Sequence, residues 1–422
     1  MKQICELNDK IILGQDGLSS KAPRLTARAI VQNEVGLYAV MYSDKFKLHS
    51  LPGGGVEDGE DILTALRREI LEETGCTCDL VYELGIVREN RASLDYTQES
   101  YYYAVYTENC ADVPELTEAE KASSTVVQWH SFEEMWALIH NVRHDTTQKQ
   151  YLQARDVAAL KEFSKQHIGR CHICGVFEKM SFEHIPPEDA YNSNSAKMYD
   201  GHNVIAKYKG QKAKHSIQQQ GMGKYSLCES CNNITGNWYA SEYGKFAKAT
   251  IQSLQQLNPM EHGDCFSFKT KEIQPLAVAK QVIAMFCSLL PLSEVRRLGF
   301  DKLLLSRESN AVDTSLFDLR VYLTSREIAQ LMIGPACVLR KSESGFDSVC
   351  VSDLAVYPFG FILNLSPEHP IKYGASMLQM FDAEYGKNYD MSWILQYLER
   401  TNNDVPLPLQ FKPIPKANEE KT

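Results

Sequence analysis

Nowhere does this 422-residue chain hold an apolar run long enough to cross a bilayer as a helix. The longest apolar stretches, such as Leu276–Leu290, are interrupted by Lys280 and Gln281. The N-terminal MKQICELNDK lacks the apolar run and small-residue cleavage site of a secretory signal. A cytoplasmic location without membrane contact is therefore the expectation. Internal repeats and low-complexity tracts are missing too, which excludes a solenoid or array. There is no excess of positive charge: 54 Asp+Glu against 44 Lys+Arg leave a net charge of −10. Phosphate neutralisation needs clustered Lys and Arg, so the chain as a whole is not a general nucleic-acid binder. One local exception is the run Lys207, Lys209, Lys212, Lys214, His215 and Lys224, which contains no acid. It is either a patch that meets a polyanion or a solvated loop.

What is present describes a folded, multi-domain chain. Hydrophobic content of 44% with 23% charged residues is that of a globular protein, and the length calls for two or three cores. Of the twelve cysteines, Cys5, Cys110, Cys265, Cys287, Cys337 and Cys350 read as small hydrophobes. All are expected to be reduced in a cytosolic setting. Residues 1–167 alternate strands and helices. Arg24–Val31 and Leu37–Tyr42 flank the turn Asn33–Gly36, and a Pro/Gly-rich loop, LPGGGVEDGE, leads into a helix over Asp61–Thr74. Further strands are predicted at Tyr82–Val87, Ser100–Tyr106 and Val126–His130, with helices over Phe132–Ile139 and Gln148–Gln166. This is the pattern of an α/β layered sandwich. Residues 168–244 are loop-rich. Residues 245–422 open with helices at Phe246–Leu257 and Leu276–Leu290. Strands follow at Leu319–Leu323, Ala336–Arg340 and Ser348–Leu365, then a helix near Ser392–Glu399 and a frayed tail from about Val405. No catalytic signature stands out in this α+β segment of unassigned role. The oligomeric state is not legible.

The first chemical constellation is the helix with its loop. Glu69 stands at i−3 and i−4 to Glu72 and Glu73, so three carboxylates share one face. Such crowding is mildly unfavourable on a bare helix, and a divalent cation reverses the sign. Hard oxygen donors suit Mg²⁺ or Mn²⁺. Leu63, Leu66 and Ile70 are expected to anchor the opposite face, and Gly75 to end the helix. Gly53, Gly54 and Gly55 let backbone approach metal and phosphate closely. Gly54, Glu60, Arg68-Glu69-Ile70, Glu72-Glu73, Gly75 and Cys76 together resemble the Nudix box, G-x5-E-x7-R-E-U-x-E-E-x-G-U. The single departure is Cys76 in place of an aliphatic residue. The resemblance extends over about the first 165 residues, through the strand QESYYYAVY to the helix around Arg155-Asp156. It implies an α/β/α sandwich that hydrolyses a pyrophosphate linkage in a nucleotide-derived small molecule. It further implies Glu72 and Glu73 as metal ligands, Glu69 as ligand or general base, and Gly53, Gly54 and Gly55 as the phosphate loop. Arg68 would orient the carboxylates. A later-loop acid often joins such sites. Glu115, Glu118 and Glu120 are the candidates, with Glu120 favoured.

The second constellation is a pair of Cys-x-x-Cys clamps, Cys171/Cys174 and Cys228/Cys231, whose soft thiolates suit tetrahedral Zn²⁺. Between them lies Glu183-His184-Ile-Pro-Pro187, and Asn232-Asn233 follows the second clamp. The arrangement resembles the zinc-containing HNH (ββα-metal) nucleases. The resemblance implies a small ββα module that binds or cuts DNA or RNA, with His184 as general base and Glu183 and Asn232 as ligands of a divalent metal. Glu183 stands where Asp is commoner, Thr235 replaces a usual Lys, and no Asn lies just before the second clamp. An active nuclease, a degenerate nucleic-acid-binding scaffold and a purely structural zinc module are the three open readings. At the level of the whole chain, a bifunctional hydrolase competes with two alternatives. One is a nuclease effector regulated by a nucleotide-sensing first domain, as in defence against foreign nucleic acid. The other is an enzyme with a bracing zinc module. Trp238, Tyr239 and Tyr243 are read as core packing rather than base-stacking residues.

Overall fold

A computed structural model describes the chain except residues 111–112, 200–202, 204–210, 213, 257–260, 325–330, 343–344, 400–408, 410 and 412–422. The side chains of 119–120 and 340–342 are likewise outside the described set. The chain divides into two compact units. The first is Met1–Gly169 with Phe177–Lys179, and the second is Arg170–Val176 with Met180–Thr422.

In the first unit, β1 (Gln3–Asn8), β2 (Arg24–Asn33), β3 (Tyr38–Ser43), β4 (Leu48–Ser50), β5 (Gly53–Gly55), β6 (Leu80–Arg91), β7 (Tyr96–Thr107) and β8 (Thr125–His130) form one sheet. Its order is β1-β6-β7-β2-β3-β4, with β5 on β2 and β8 on β3. β1 runs parallel to β6 and β2 parallel to β7 (Thr26↔Ser100), and the other pairs are antiparallel. Two-residue alternation feeds the two faces. Ala29, Val31, Tyr103 and Val105 meet Ala65, Leu66 and Ile70 of α2 (Ile62–Thr74). Ile30, Tyr102 and Ala104 point the other way, toward Met135 of α4 (Phe132–His140) and Tyr151, Leu160 and Phe163 of α5 (Thr147–Gln166). This is the expected α/β sandwich. Short helices α1 (Asp9–Leu13) and α3 (Glu118–Ala122) complete the unit. The expected role of Leu63 is corrected: it is exposed, and Ala65 is the residue buried against the sheet in that turn. β1 escaped the sequence reading because only Leu7 of its six residues is buried, so an edge strand leaves no apolar alternation to read.

In the second unit, the end of β10 (Phe177–His184) pairs antiparallel with β13 (Gly223–Cys228), from Met180↔Cys228 to His184↔Gly223. β9 (Ile168–Arg170) precedes this pair in the chain, and the small antiparallel pair β11 (Ala196–Met198) and β12 (Ser216–Gln218) lies between its two strands in sequence. Helix α6 (Glu229–Thr235) follows β13 directly, then a π-helical turn over Gly236–Ala240, then α7 (Ser241–Leu254). Tyr239 and Tyr243 are fully buried, as core packing requires. Helix α8 (Pro275–Cys287) is buried on every side, the position of a helix threaded through a core. Short α9 (Leu292–Arg297) and α10 (Phe300–Leu305) follow. Strands β14 (Cys265–Ile273) and β20 (Tyr389–Gln396) pair antiparallel. β15 (Asp318–Leu323), β16 (Leu331–Ser342), β17 (Gly345–Val356), β18 (Phe359–Asn364) and β19 (Ala375–Ser376) form a sheet ordered β16-β17-β18-β15-β19. One core cluster runs from Cys171 to Tyr397, so the thiol clamps and the C-terminal elements share their packing. The helix expected near Ser392–Glu399 is instead the strand β20. Trp393 and Leu395 are buried while Ser392 and Ile394 are exposed, a period of two, and pairing with β14 decides the matter. The tail beyond Val405 lies outside the described residues except Leu409 and Phe411.

Candidate active site and metal centre

Helix α2 starts where Asp61 accepts hydrogen bonds from the Leu63 and Thr64 amides, 2.9 Å each, and stops at Gly75 with φ +68°. Between these caps Arg68 is the organiser. Its Nε and Nη2 donate to the two oxygens of Glu60 at 3.0 Å, and Nη1 donates to Glu69 at 2.9 Å and Glu72 at 3.2 Å. Nη2 also donates to the Gly55 carbonyl at 3.0 Å, which ties the helix to the glycine strand β5. The hydrogen bonds that Arg68 donates to Glu60, with the one it donates to Glu69, hold its guanidinium well above the usual pKa. In return Arg68 holds the Glu60 carboxyl below the ordinary range. Burial pushes Glu69 the other way, upward, against the pull of Arg68. Glu73 is buried and accepts from the Gly53 amide at 2.6 Å.

Gly53 and Gly54 are required here. Gly53 sits at φ +125°, where a side chain would also strike the Ala27 carbonyl. A Cβ on Gly54 would run into the Glu69 carboxylate, so the loop backbone lies against that group. The box glutamates therefore share a face and a backbone cradle. Their oxygens are not drawn into one shell, because Glu69 and Glu72 are clasped by Arg68 and Glu73 by Gly53. Three carboxylates on one guanidinium leave excess negative charge of hard oxygen donors, which fits a divalent cation such as Mg²⁺. Glu115 and Glu118 are exposed, and Glu118 pairs with Lys121. The side chain of Glu120 lies outside the described residues.

Beneath the loop is an ionic network that sequence reading passed over. Asp156, fully buried on α5, accepts from the Leu51 amide at 2.9 Å, from Arg155 Nε at 3.0 Å and from the Tyr102 hydroxyl. Arg28 on β2 donates to the Leu51 carbonyl at 3.2 Å. Both polar groups of the residue that leads into Pro52-Gly53-Gly54-Gly55 are thus clamped by buried charge. Burial, then the Arg155 charge, push the Arg28 guanidinium down. The available signal was Arg28 set among the apolar residues Ala27, Ala29, Ile30 and Val31 of its strand. Asp156→Ala is expected to cost about 3–5 kcal/mol of stability, because it strands Arg155 as an uncompensated buried charge. Urea denaturation measures this, and a loss below about 1 kcal/mol, the scale of an exposed pair, would show that the network carries no such burden.

The expectation that all cysteines are reduced is corrected at one pair. Cys76, just past the end of α2, is disulfide-bonded to Cys110, beyond β7. Cys110 is thus not an isolated small hydrophobe. Cys265 and Cys337 are exposed, against the same expectation. The cause is tertiary, since the exit of α2 and the loop after β7 meet across 34 residues of sequence.

The second unit gathers its four predicted thiols. The sulfur atoms of Cys171, Cys174, Cys228 and Cys231 all lie within 4.8 Å of one another. Among the described residues no other group of three or more His, Cys, Asp or Glu is drawn so close. Cys228 is the N-cap of α6, and the Cys171 amide closes a turn with the Val176 carbonyl at 2.8 Å. A hydrogen bond from Cys231 pulls the Cys171 thiol down to about 4, while burial pushes Cys228 up to about 12. A soft divalent ion such as Zn²⁺ fits this donor set.

The second unit also holds a cavity of about 260 Å³ whose lining includes Glu183, His184, Asn232 and Gln281. Glu183 lies at the end of β10 and is buried, and burial pushes its carboxyl up to about 8. The Asn232 amide nitrogen donates to Ser181 Oγ at 3.0 Å and the Phe182 carbonyl at 2.9 Å. The structure thus brings together the three residues of the second constellation, two on the end of a strand and one on the helix that carries Cys231 of the second clamp. Gln281, from α8, was not anticipated, though its interruption of an apolar run was the available signal. Asn203 accepts from the Lys214 amide at 2.8 Å and does not line the cavity. Of the basic run, Lys212, Lys214, His215 and Lys224 are exposed, and Lys207 and Lys209 lie outside the described residues.

Residues 22–153 match the model of the NUDIX domain family. Nudix hydrolase 7 of Arabidopsis thaliana is 28% identical over 130 residues, covering 29% of this chain and 44% of that protein. The chain therefore spans less than half the length of this curated relative. A solved NUDIX hydrolase from Nitrosomonas europaea is 19% identical with a TM-score of 0.27, covering 34% of this chain and 90% of its own. The C. elegans Ap4A hydrolase is 16% identical with a TM-score of 0.25, covering 34% and 98% respectively.

Proposed function

We propose, for a chain that carries a Nudix hydrolase domain over residues 22–153 and a four-cysteine cluster behind it, that the first unit hydrolyses a pyrophosphate bond in a nucleoside diphosphate derivative. The observation that carries this reading is the single guanidinium of Arg68 binding Glu60, Glu69, Glu72 and the Gly55 carbonyl at once, which joins the acidic helix face to the glycine loop. Glu69, Glu72 and Glu73 would hold one or more Mg²⁺ or Mn²⁺ ions. Such ions, when bound, lower the pKa of water and neutralise charge on the phosphoryl oxygens. Arg68 keeps Glu69 and Glu72 oriented, and Gly53 and Gly54 keep the loop free of side chains so that phosphate can lie on the backbone. Glu69, whose carboxyl burial raises, would serve either as a ligand of the cation or as the general base that takes a proton from the attacking water. Selectivity among ADP-ribose, dinucleotides, nucleotide sugars and modified nucleoside triphosphates rests with loops outside the box. The test is a panel of these compounds incubated with the full chain and Mg²⁺, with products read by chromatography. Turnover of at least one with release of a nucleoside monophosphate is expected, and inertness toward all would overturn the reading.

A second reading is favoured by one observation: the cavity lined by Glu183, His184 and Asn232, the last of which directly follows Cys231 on α6. It is the reading of a metal-assisted phosphodiester hydrolase, with His184 as general base. The competing description is a zinc module that only braces the second unit. Cleavage of plasmid DNA or a structured RNA by the full chain with Mn²⁺ is expected, falling at least about a hundredfold in His184→Ala. Intact nucleic acid after prolonged incubation, also in the presence of the nucleotide panel, leaves the bracing role.

A further inference from the structure

We infer that Gln281, contributed by the buried helix α8, completes a divalent-cation site in the cavity of the second unit, so that the C-terminal elements are part of that site. The inference rests on the second reading above. The side chain is 1% exposed, lines the cavity, and its Oε1 has no hydrogen-bond partner among the described residues. Glu183, 4% exposed, lines the same cavity, and no hydrogen bond or ion pair reaches its carboxylate among the described residues. Asn232 spends its amide nitrogen on Ser181 and Phe182, which leaves Oδ1 as its free donor atom. Residues that bear a carboxylate and two amide carbonyl oxygens, from three separate elements, therefore line one small space. Buried oxygen atoms are normally satisfied, and the Gln281 Oε1, buried and unpartnered among the described residues on a cavity it shares with Glu183 and Asn232, marks a missing partner. A cation is the partner that draws lone pairs from a carboxylate and two amide oxygens together, and an all-oxygen set with one adjacent imidazole suits Mg²⁺, Mn²⁺ or Ca²⁺ better than softer ions. Two exposed acids at the rim, Glu188 and Asp189, strengthen the case. They make the mouth anionic, so a phosphate-bearing ligand approaches it only when a cation is held inside. No neighbour in sequence brings Gln281 here. It stands 49 residues beyond Asn232, in a helix whose other residues are core.

The test is Mn²⁺ binding followed by electron paramagnetic resonance, on the full chain. The box is silenced by Glu69→Gln, Glu72→Gln and Glu73→Gln together, so that any Mn²⁺ still bound belongs to the second unit. This background is expected to retain one bound Mn²⁺, to lose it with Glu183→Gln, and to bind roughly tenfold to a hundredfold more weakly with Gln281→Leu. Gln281→Glu is expected to shift in the opposite direction: tighter Mn²⁺ binding and a Tm that rises when Mn²⁺ is added. A merely structural glutamine would not produce that rise. Unchanged affinity in both Gln281 variants, with binding lost in Glu183→Gln, overturns the part given to Gln281 and leaves the second reading standing. No Mn²⁺ bound by the silenced background overturns both. Should Gln281→Leu fail to fold, by circular dichroism and zinc content, the sign of the Gln281→Glu response decides alone.

Discussion

Glu73→Gln is expected to lower pyrophosphohydrolase turnover by roughly three orders of magnitude without moving the glycine loop. The structure makes this substitution informative. Glu73 accepts a hydrogen bond from the Gly53 amide, and a glutamine Oε1 can accept the same bond. The loop geometry is therefore retained and only the negative charge is lost. A charge that helps hold a catalytic cation is worth several kcal/mol in the transition state, and about 4 kcal/mol is close to a thousandfold in rate. The effect should fall on kcat more than on KM, with an unchanged unfolding midpoint. Wild-type-like turnover would sink the assignment of the box as the active site. A large drop accompanied by a lower midpoint would mean that Glu73 acts by holding the loop rather than by its charge.

Removing the cation from the thiol cluster is expected to unfold the second unit. Cys171, Cys228 and Cys231 are buried members of the same hydrophobic core that contains α8 and the strands around it. Apparent zinc binding in small modules is worth about 10–16 kcal/mol, comparable to the whole stability of a domain. Calorimetry of the full chain should therefore show one transition moved far down by a strong chelator or by Cys171→Ser. The transition of the first unit should survive once Mg²⁺ is restored. Elemental analysis should find one zinc per chain. No zinc, with four thiols that react freely and an unaltered thermal profile, would leave the cluster as a set of buried cysteines with no metal role.

The two substitutions probe sites that differ in how they were written into the chain. Every residue of the box lies within one loop and one helix. The periodicity that puts Glu69, Glu72 and Glu73 on one face is a local property, and so are the Asp61 and Gly75 caps. The thiol clamps are legible for a similar reason, since each Cys-x-x-Cys is a local turn, although only folding brings the two clamps within one coordination sphere. The central strands of the first unit were readable because alternate residues feed two different cores. β1, an edge strand with a single buried residue, was not.

The sequence by itself determined the acidic helix face, the glycine loop against it, the four thiols and the acid-His step at the end of β10. In each case the chemistry sits in residues a few positions apart, whose mutual placement follows from helix, turn or strand geometry. Only the tertiary structure decided the rest. It clamped Leu51 between Asp156 and Arg28, 105 and 23 residues away in sequence, and joined Cys76 to Cys110. It made a strand of Tyr389–Gln396 by pairing it with Cys265–Ile273, and set Gln281 beside Glu183 and Asn232. The physical reason is the same throughout. Long-range contacts are selected by which surfaces can be buried together, and that selection is a property of the whole packed core rather than of any segment.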